Sequence, residues 1–205
     1  IVGSGANSCI LHYTENNAVM KEGDLLLIDA GAEYDYYASD ITRTFPVSGE
    51  FSETQRLVYE IVLEAQAAAI AEVRPGNSWN EPHEAAVEVI TRGLIDLGVL
   101  KGRLRKLIDA EAYRPYYMHK TGHWLGMDVH DVGDYKLADE WRIFEPGMVT
   151  TVEPGLYFSA ALKDLPKQWW NIGIRIEDDV LVTETGHEVL TIEAPKAIED
   201  VEAAM

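Results

Sequence analysis

The chain has one cysteine, Cys9, among its 205 residues. A single thiol excludes an internal disulfide and any metal cage built from several thiolates, and we expect Cys9 to be a buried structural residue. The chain opens on IVGSGANSCILHY, which lacks the basic segment that begins a signal peptide. A cytoplasmic protein is therefore expected.

Basic residues are also scarce, because 17 Lys and Arg stand against 35 Asp and Glu, a formal net charge of −18. Nucleic acids and anionic membranes bind through basic patches that replace counterions, so neither is an expected partner. No apolar run reaches the roughly 18–20 residues that a membrane span needs. The chain does have 47% hydrophobic residues, enough for a sizeable core.

The predicted elements run as strands, then helices, then strands, which is typical of an α+β fold with a curved, mostly antiparallel sheet covered by helices. The predicted strands lie at 25–30, 38–47, 147–158 and 172–186. The predicted helices lie at 52–73, 78–97 and 103–111, and the C-terminal tail is a further helical candidate. Ser52 and Gln55 have the spacing of a capping box, and Ser78 is expected to cap the second helix.

Carboxylates occupy strand positions that should be apolar. Asp29 ends the strand LLLIDAG, where an unpaired buried charge costs several kcal/mol. If this strand and the next form a hairpin that turns between Tyr34 and Asp35, then Asp29 faces Asp40, with Cβ atoms about 4.5–5.5 Å apart. Two like charges at that distance need a cation or a shared proton between them. The alternative is that Asp40 caps a turn and never meets Asp29.

A second pair of carboxylates follows the same pattern. Glu153 lies in TVEPG at the end of one strand, and Glu177 lies in IRIEDD inside the next. If 147–158 and 172–182 pair, the two glutamates approach each other, and four carboxylates form a box of oxygen ligands. With one imidazole added, the box has room for two divalent ions bridged by carboxylates and a water. Taken alone, Glu153 is equally well explained as a strand-end residue before a Pro-Gly turn.

Three of the six histidines fall within HKTGHWLGMDVHD, at His119, His123 and His130. The first two have the spacing of a helical zinc motif, but Gly122 and Gly126 frame that interval and disfavour a helix. Glycines here indicate backbone that approaches a ligand or turns tightly. A mostly oxygen site fits best with His123 as its only imidazole ligand, and it favours Mn²⁺, Co²⁺ or Fe²⁺ over a structural zinc.

Six motifs in this order resemble the Xaa-Pro aminopeptidase (aminopeptidase P) branch of the pita-bread metallopeptidases, family M24. They are ILHYTEN, LLLIDAG, DITRTFPV, HWLGMDVHDVG, VEPGLY and IRIEDD, and the resemblance covers essentially the whole chain. It implies a truncated pita-bread fold in which 1–205 are a catalytic domain, without the family's N-terminal domain and the start of its catalytic domain.

The resemblance also implies an activity, namely release of the N-terminal residue from peptides with proline in second position, by attack of a hydroxide that bridges two metal ions. The implied ligands of two Mn²⁺ ions (with Co²⁺, Fe²⁺ or Zn²⁺ as alternatives) are Asp29, Asp40, His123, Glu153 and Glu177. Asp40 and Glu177 would bridge the ions. Prolidase is the nearest alternative activity, and the family's full-length form implies a homo-oligomer.

The remaining implied site residues belong to the substrate side: His12, His119 and His130, supported through hydrogen bonds by Tyr157 and Arg175. His130 is our choice to stabilise the oxyanion and Glu153 to shuttle the proton. His12 is alternatively a strand-surface residue, and Arg175 a simple salt-bridge partner. His83 and His187 match no motif and are expected at the surface.

Lys120 departs from the family pattern, in which glycine follows the first histidine of the stretch. Its long cationic side chain either alters how His119 is presented or points to solvent. A rival interpretation of the whole chain is a metal-free pita-bread module used for binding, or an inactive fragment. Retention of all five ligand types argues against that rival for the parent protein.

Overall fold

The computed structural model describes all 205 residues and consists of short strands, four α-helices and two 3-10 turns. The strands of the first half are β1 (Val2–Ser4), β2 (Leu25–Ala30), β3 (Glu33–Tyr34), β4 (Tyr37–Ala38) and β5 (Ile41–Pro46). Those of the second half are β6 (Lys136–Leu137), β7 (Glu140–Trp141), β8 (Val149–Val152), β9 (Gly155–Phe158), β10 (Ile172–Arg175), β11 (Asp178–Val182) and β12 (His187–Val189). The helices are α1 (Glu53–Glu72), α2 (Glu81–Asp96), α3 (Leu104–Asp109) and α4 (Ile198–Ala203).

Every strand pair is antiparallel. Three-stranded sheets form in the order β1-β2-β5 and β12-β11-β8, a third sheet pairs β9 with β10, and two small hairpins complete the set. The α+β prediction with antiparallel sheets is therefore confirmed. None of the helices combines the length and the apolar character that a membrane crossing requires.

The hairpin that carries Asp29 turns later than the sequence predicted. Asp29 pairs with Thr42, so the predicted pairing with Asp40 is wrong by two residues. The cause is a tip at Asp35 and Tyr36, which both adopt positive φ, 50° and 72°, as a two-residue primed turn requires. Because strand side chains alternate with a period of two, this shift leaves Asp29 and Asp40 on the same face.

The two long strands predicted for the second half do pair, but each is interrupted at its carboxylate. Gly155 pairs with Arg175 in one sheet and Val152 with Asp178 in the other. The same register runs through both sheets, so the gap between them places Glu153 opposite Glu177. Pro154 explains one of the interruptions, since proline cannot donate to a strand ladder.

The first helix begins as predicted, and the second does not. Ser52 and Gln55 form the complete capping box of α1. By contrast, α2 has Asn80 as its N-cap residue, because Ser78 instead forms an antiparallel bridge with Ile143. The two helices pack against each other closely, and a Cβ on Gly93 would lie 2.7 Å from Ile61.

Candidate metal centre and active site

Strand β5 joins the two halves of the molecule that carry the carboxylates. The Glu177 backbone N–H donates to the Thr42 carbonyl at 3.0 Å. The Thr44 hydroxyl donates to the Arg175 carbonyl at 3.0 Å and accepts from the Arg175 N–H at 3.2 Å. Because β5 also pairs with β2, the end of β2 at Asp29 faces the same space as Glu177.

The histidine stretch runs beside β8 as an extended segment and is not helical, as the sequence predicted. The Thr151 N–H donates to the His123 carbonyl at 3.0 Å, and the Glu153 N–H donates to the Thr121 carbonyl at 2.7 Å. A Cβ on Gly122 would lie 2.0 Å from the Thr151 carbonyl oxygen. Glycine is needed here so that the segment can approach β8. The sequence had indicated a different reason, namely backbone that approaches a ligand or turns tightly.

The centre of the site is a group of facing oxygen and nitrogen atoms. His123 Nε2 lies 3.4 Å from Asp40 Oδ2 and 3.7 Å from Glu153 Oε1. One potential ligand atom each from Asp40, His123 and Glu177 lie within 4.8 Å of one another. His123 Nδ1 is 2.9 Å from the Trp124 carbonyl, which can only accept a hydrogen bond. In the neutral ring Nδ1 therefore carries the proton, and Nε2 presents its lone pair to the carboxylates.

Asp29 completes the group, and it is tied to the only guanidinium at the cavity wall. Arg175 Nη2 donates to Asp29 Oδ2 at 2.5 Å, and Arg175 Nε lies 3.2 Å from the Thr42 hydroxyl. That hydroxyl donates to Glu177 Oε2 at 2.6 Å. Burial raises the pKa of Asp29, although the charge of Arg175 opposes this rise. The salt bridge that the sequence offered as the alternative role of Arg175 is thus formed within the site.

The carboxylates of this group outnumber the cations that neutralise them. Burial, followed by the charges of Glu153 and Asp40, raises the pKa of Glu177 well above its ordinary value. Burial also raises the pKa of Glu153 to about 7 against the attraction of nearby cations. Burial lowers the pKa of His123, but its contacts with Asp40, Trp124 and Glu153 outweigh this and raise it. A divalent cation would remove the repulsion that produces these shifts.

His119 is held in one tautomer at the edge of the group. Its Nδ1 lies 2.7 Å from the Lys120 carbonyl and its Nε2 lies 2.8 Å from the Tyr157 hydroxyl. Because a carbonyl only accepts, Nδ1–H donates to it and Nε2 accepts from the tyrosine. Arg175 Nη1 donates to the same phenol oxygen at 3.2 Å. Burial lowers the pKa of His119 to about 4, although the Lys120 carbonyl acts in the opposite direction.

The predicted site residues converge on one cavity of about 280 Å³, and all of them except Tyr157 line it. Tyr157 is 1% exposed and lies behind His119. His12 and His130 are the exposed members of the set. The rings of His130 and His123 lie 4.1 Å apart, centroid to centroid. The cavity therefore has a buried carboxylate end and an accessible histidine end.

His83 contradicts its predicted place at the surface. It is half-buried, and its Nδ1 lies 2.8 Å from the Thr121 hydroxyl, which is also 2.5 Å from the Tyr117 hydroxyl. Burial, with help from the charge of Lys120, lowers the pKa of His83 to about 4, so the ring is neutral at pH 7. His187 is exposed, as expected.

Two residues that support the site were missed from the sequence. The Thr42 hydroxyl bridges Glu177 and Arg175, as described above. The Asp179 carboxylate accepts the Asp40 backbone N–H at 3.1 Å and 3.3 Å through its two oxygens. Each of them stands two positions after a predicted ligand. Because side chains alternate along a strand, this spacing could have placed each residue on the same side of the sheet as that ligand.

Lys120 lies beside the cavity with its side chain exposed. Its Nζ is 5.7 Å from the centre of the Trp141 ring. Its backbone carbonyl accepts the hydrogen bond from His119 Nδ1. The side chain therefore occupies the rim of the site, and replacement of this side chain would leave the tautomer-fixing carbonyl in place.

Comparison with known proteins gives a consistent result. The model of metallopeptidase family M24 matches residues 1–184. Over 205 residues the chain is 55% identical to the Xaa-Pro aminopeptidases of Haemophilus influenzae and Escherichia coli. It is covered completely in both comparisons but spans only 47% and 46% of those proteins.

Solved structures show the same likeness in three dimensions. The aminopeptidase PepP of Pseudomonas aeruginosa superposes with a TM-score of 0.98 at 58% identity, and proline aminopeptidase P II of Yersinia pestis with 0.96 at 56%. Each match covers 100% of this chain and less than half of the solved chain, 46% and 47% respectively. The predicted pita-bread fold is confirmed by these matches. The chain belongs to metallopeptidase family M24.

Proposed function

We propose that residues 1–205 form the catalytic unit of a metal-dependent aminopeptidase that releases the N-terminal residue from peptides with proline in second position. Membership of family M24 and the names of the relatives support this activity over that of a prolidase. The observation that carries the proposal is the convergence of four buried or half-buried carboxylates and one oriented imidazole on a single cavity.

The proposed ligands are those of the carboxylate group and its imidazole: Asp29, Asp40, His123, Glu153 and Glu177. A set dominated by oxygen suits Mn²⁺, with Co²⁺ and Fe²⁺ next and Zn²⁺ as a further occupant. Two bound divalent ions would lower the pKa of a water molecule and polarise the scissile carbonyl. The fit rests on the surplus of buried negative charge, which lacks enough protein cations to balance it.

Glu153 is the proposed proton carrier. Its Oε1 lies 3.7 Å from His123 Nε2 and it lines the same cavity as the other proposed ligands, so it is placed beside a water molecule held there. We propose that a Glu153 carboxylate oxygen takes the proton of the attacking water and passes it to the proline nitrogen that leaves. Its pKa with ions bound is lower, because nearby cations favour the carboxylate.

The histidines at the open end are proposed to bind the peptide. His130 is exposed beside His123 and is placed to donate a hydrogen bond to the oxygen that becomes negative as the carbonyl is attacked. His119 is fixed by its two hydrogen bonds, and His12 faces the same cavity. Tyr157 and Arg175 hold His119 and Asp29 in position.

The test combines metal analysis with hydrolysis of an Xaa-Pro peptide and of an Xaa-Pro dipeptide. We expect cleavage of the longer peptide after metal is added, and a Glu153→Gln variant should keep substantial metal while turnover falls by about 10²- to 10⁴-fold. Glu184→Gln, at an exposed turn position, is the matched control and should behave as wild type. Turnover of Glu153→Gln close to that of wild type would eliminate the assignment.

The same experiment separates the alternatives. Cleavage of the dipeptide alone would identify a prolidase. Fewer than one ion per chain together with no cleavage would favour a metal-free binding module. The cytoplasmic location and a homo-oligomeric longer form stay predictions from the sequence.

A further inference from the structure

A second and larger cavity adjoins the proposed active site. It has a volume of about 620 Å³, and Lys120 and Gly122 belong to the walls of both cavities. The new cavity lies between the N-terminal end of α2 and the hairpin β6–β7, where His83 and Trp141 face it. The two cavities are therefore neighbours on either side of the segment from Lys120 to Gly122.

One part of the wall of the larger cavity is formed by aromatic rings that pack against one another. The Trp79 ring lies 4.9 Å from that of Tyr135 and 5.5 Å from that of Phe144, centroid to centroid. Trp79 also contacts Trp124, whose ring centre is 4.0 Å away. Rigid aromatic walls lose little entropy when they bind a ligand, and they favour apolar side chains or extended peptide.

Two ammonium groups stand at one aromatic wall. Lys136 Nζ lies 4.4 Å and Lys120 Nζ 5.7 Å from the centre of the same Trp141 ring. Neither ammonium is within 4.0 Å of a carboxylate oxygen, although Asp134 also lines the cavity. His83 adds no charge at neutral pH. Two unpaired cations are conspicuous in a chain whose net charge is −18.

We propose that this cavity binds the part of the peptide that follows proline, with the free C-terminal carboxylate placed against Lys120 and Lys136. The inference rests on the proposed aminopeptidase activity and adds a preference to it, for short peptides that end in a free carboxylate. The occupant follows from continuity with the active site and from charge. In the proposed function the scissile bond lies among the metal ligands, so the residues after proline extend beyond that cavity, and the larger cavity is its neighbour at Lys120.

The carboxylate needs these lysines because the rest of the surface repels it. A chain with twice as many acidic as basic residues disfavours the additional negative charge that a free-acid peptide has and its amide lacks. The paired ammonium groups offset this repulsion at one point, and the Trp141 ring limits where they can move. Contacts made to a remote, non-reacting part of a substrate change KM more than kcat when they are equally strong in the ground and transition states.

The test uses two Xaa-Pro peptides that are identical except for a free or amidated C-terminus. The wild-type protein should favour the free acid in kcat/KM by about fivefold at low salt, and the preference should shrink as salt is added. The double variant Lys120→Gln/Lys136→Gln should lose that preference through a rise in KM for the free acid. Lys101→Gln is the control, because it removes one charge beyond the far end of α2, roughly 20 Å from His83.

A binding measurement separates this inference from the proposed function. Fluorescence of the cavity tryptophans is titrated with the post-cleavage peptides, Pro-Gly-Phe as free acid and as amide, in the metal-loaded protein. Tighter binding of the acid by wild type, lost in the double variant, supports the subsite even if no peptide is cleaved. Equal binding of acid and amide by wild type overturns it, even if Xaa-Pro peptides are cleaved. An acid preference that survives unchanged in the double variant overturns the role of the two lysines.

Discussion

Glu177 and Asp178 are neighbours in the chain, both are almost completely buried, and their surroundings have opposite effects on their charge. The partners of Asp178 are two cations and two neutral donors: Arg43 at 2.7 Å, Lys196 at 2.6 Å, Thr191 at 2.7 Å and Gln66 at 2.9 Å. Burial acts to raise the pKa of Asp178, but the Arg43 and Lys196 contacts outweigh it and lower the pKa. This carboxylate has all of its charge compensation within the protein.

Glu177 has one hydroxyl donor, from Thr42, and faces other carboxylates. Burial and the charges of Glu153 and Asp40 together raise its pKa. Consecutive residues on a strand point to opposite faces, so one carboxylate enters a finished ion-pair network and the other enters an unbalanced one. The comparison separates a buried charge that the protein balances from one that it leaves unbalanced.

The largest effect is expected when the finished network is broken. Asp178→Ala leaves Arg43 and Lys196 without their anion, and removal of one partner of a buried pair costs about 3–5 kcal/mol. Urea unfolding should show this loss of stability, with Asp200→Asn, at an exposed position, as the control. A loss below about 1 kcal/mol, the range of exposed ion pairs, would contradict the comparison.

A smaller effect is expected when the unbalanced network receives its cation. Mn²⁺ at about 100 times its dissociation constant should raise the free energy of unfolding by about 2.7 kcal/mol, because it binds only the folded state. Glu177→Gln removes a proposed bridging ligand, so most of this rise should disappear. An equal rise in the variant would show that the ion binds elsewhere. The measurement is thermal or urea unfolding with and without metal.

The smallest effect is expected in the pH dependence of the metal-free protein, with chelator present. The pKa of Glu153 rises from 4.5 to about 7 on folding, and that of Glu177 also rises, so the folded state binds more protons and stability falls as the pH increases across this window. The pKa of Asp178 falls on folding, so its contribution is lost as the pH decreases. Glu177→Gln should therefore reduce the fall of the unfolding free energy as the pH increases above about 4.5, the ordinary glutamate pKa. The loss of stability at lower pH, to which Asp178 contributes, should be unchanged. A change on the acid side instead would reverse the assignment.

Much of the site could be predicted because its residues break local rules. Asp29, Glu153 and Glu177 are charged where the surrounding pattern is that of a buried strand, and such positions require a compensating partner. The capping box at Ser52 was predictable for a similar reason, since two side chains satisfy specific backbone groups within one turn.

What could not be predicted depends on contacts between distant segments or on unusual backbone. The predicted register of the hairpin was wrong because Tyr36 adopts a positive φ, which a tyrosine side chain does not favour. The ion pairs of Asp178 involve Arg43 and Lys196, which lie far away in sequence and on different elements. The half-buried position of His83 depends on its contact with Thr121, and the second cavity depends on the β6–β7 hairpin. Neither feature is visible in the neighbouring sequence.

The most direct test of the metal centre is calorimetric titration of the metal-free chain with Mn²⁺ at pH 7. The proposed ligand set predicts two ions bound per chain, and the raised pKa values of Glu153 and Glu177 predict that protons are released as these carboxyl groups ionise around the metal. The proton release is measured by repeating the titration in buffers of different ionisation enthalpy. Binding of fewer than one ion, with no dependence of the heat on the buffer, would contradict the proposal that this cluster is built to hold metal.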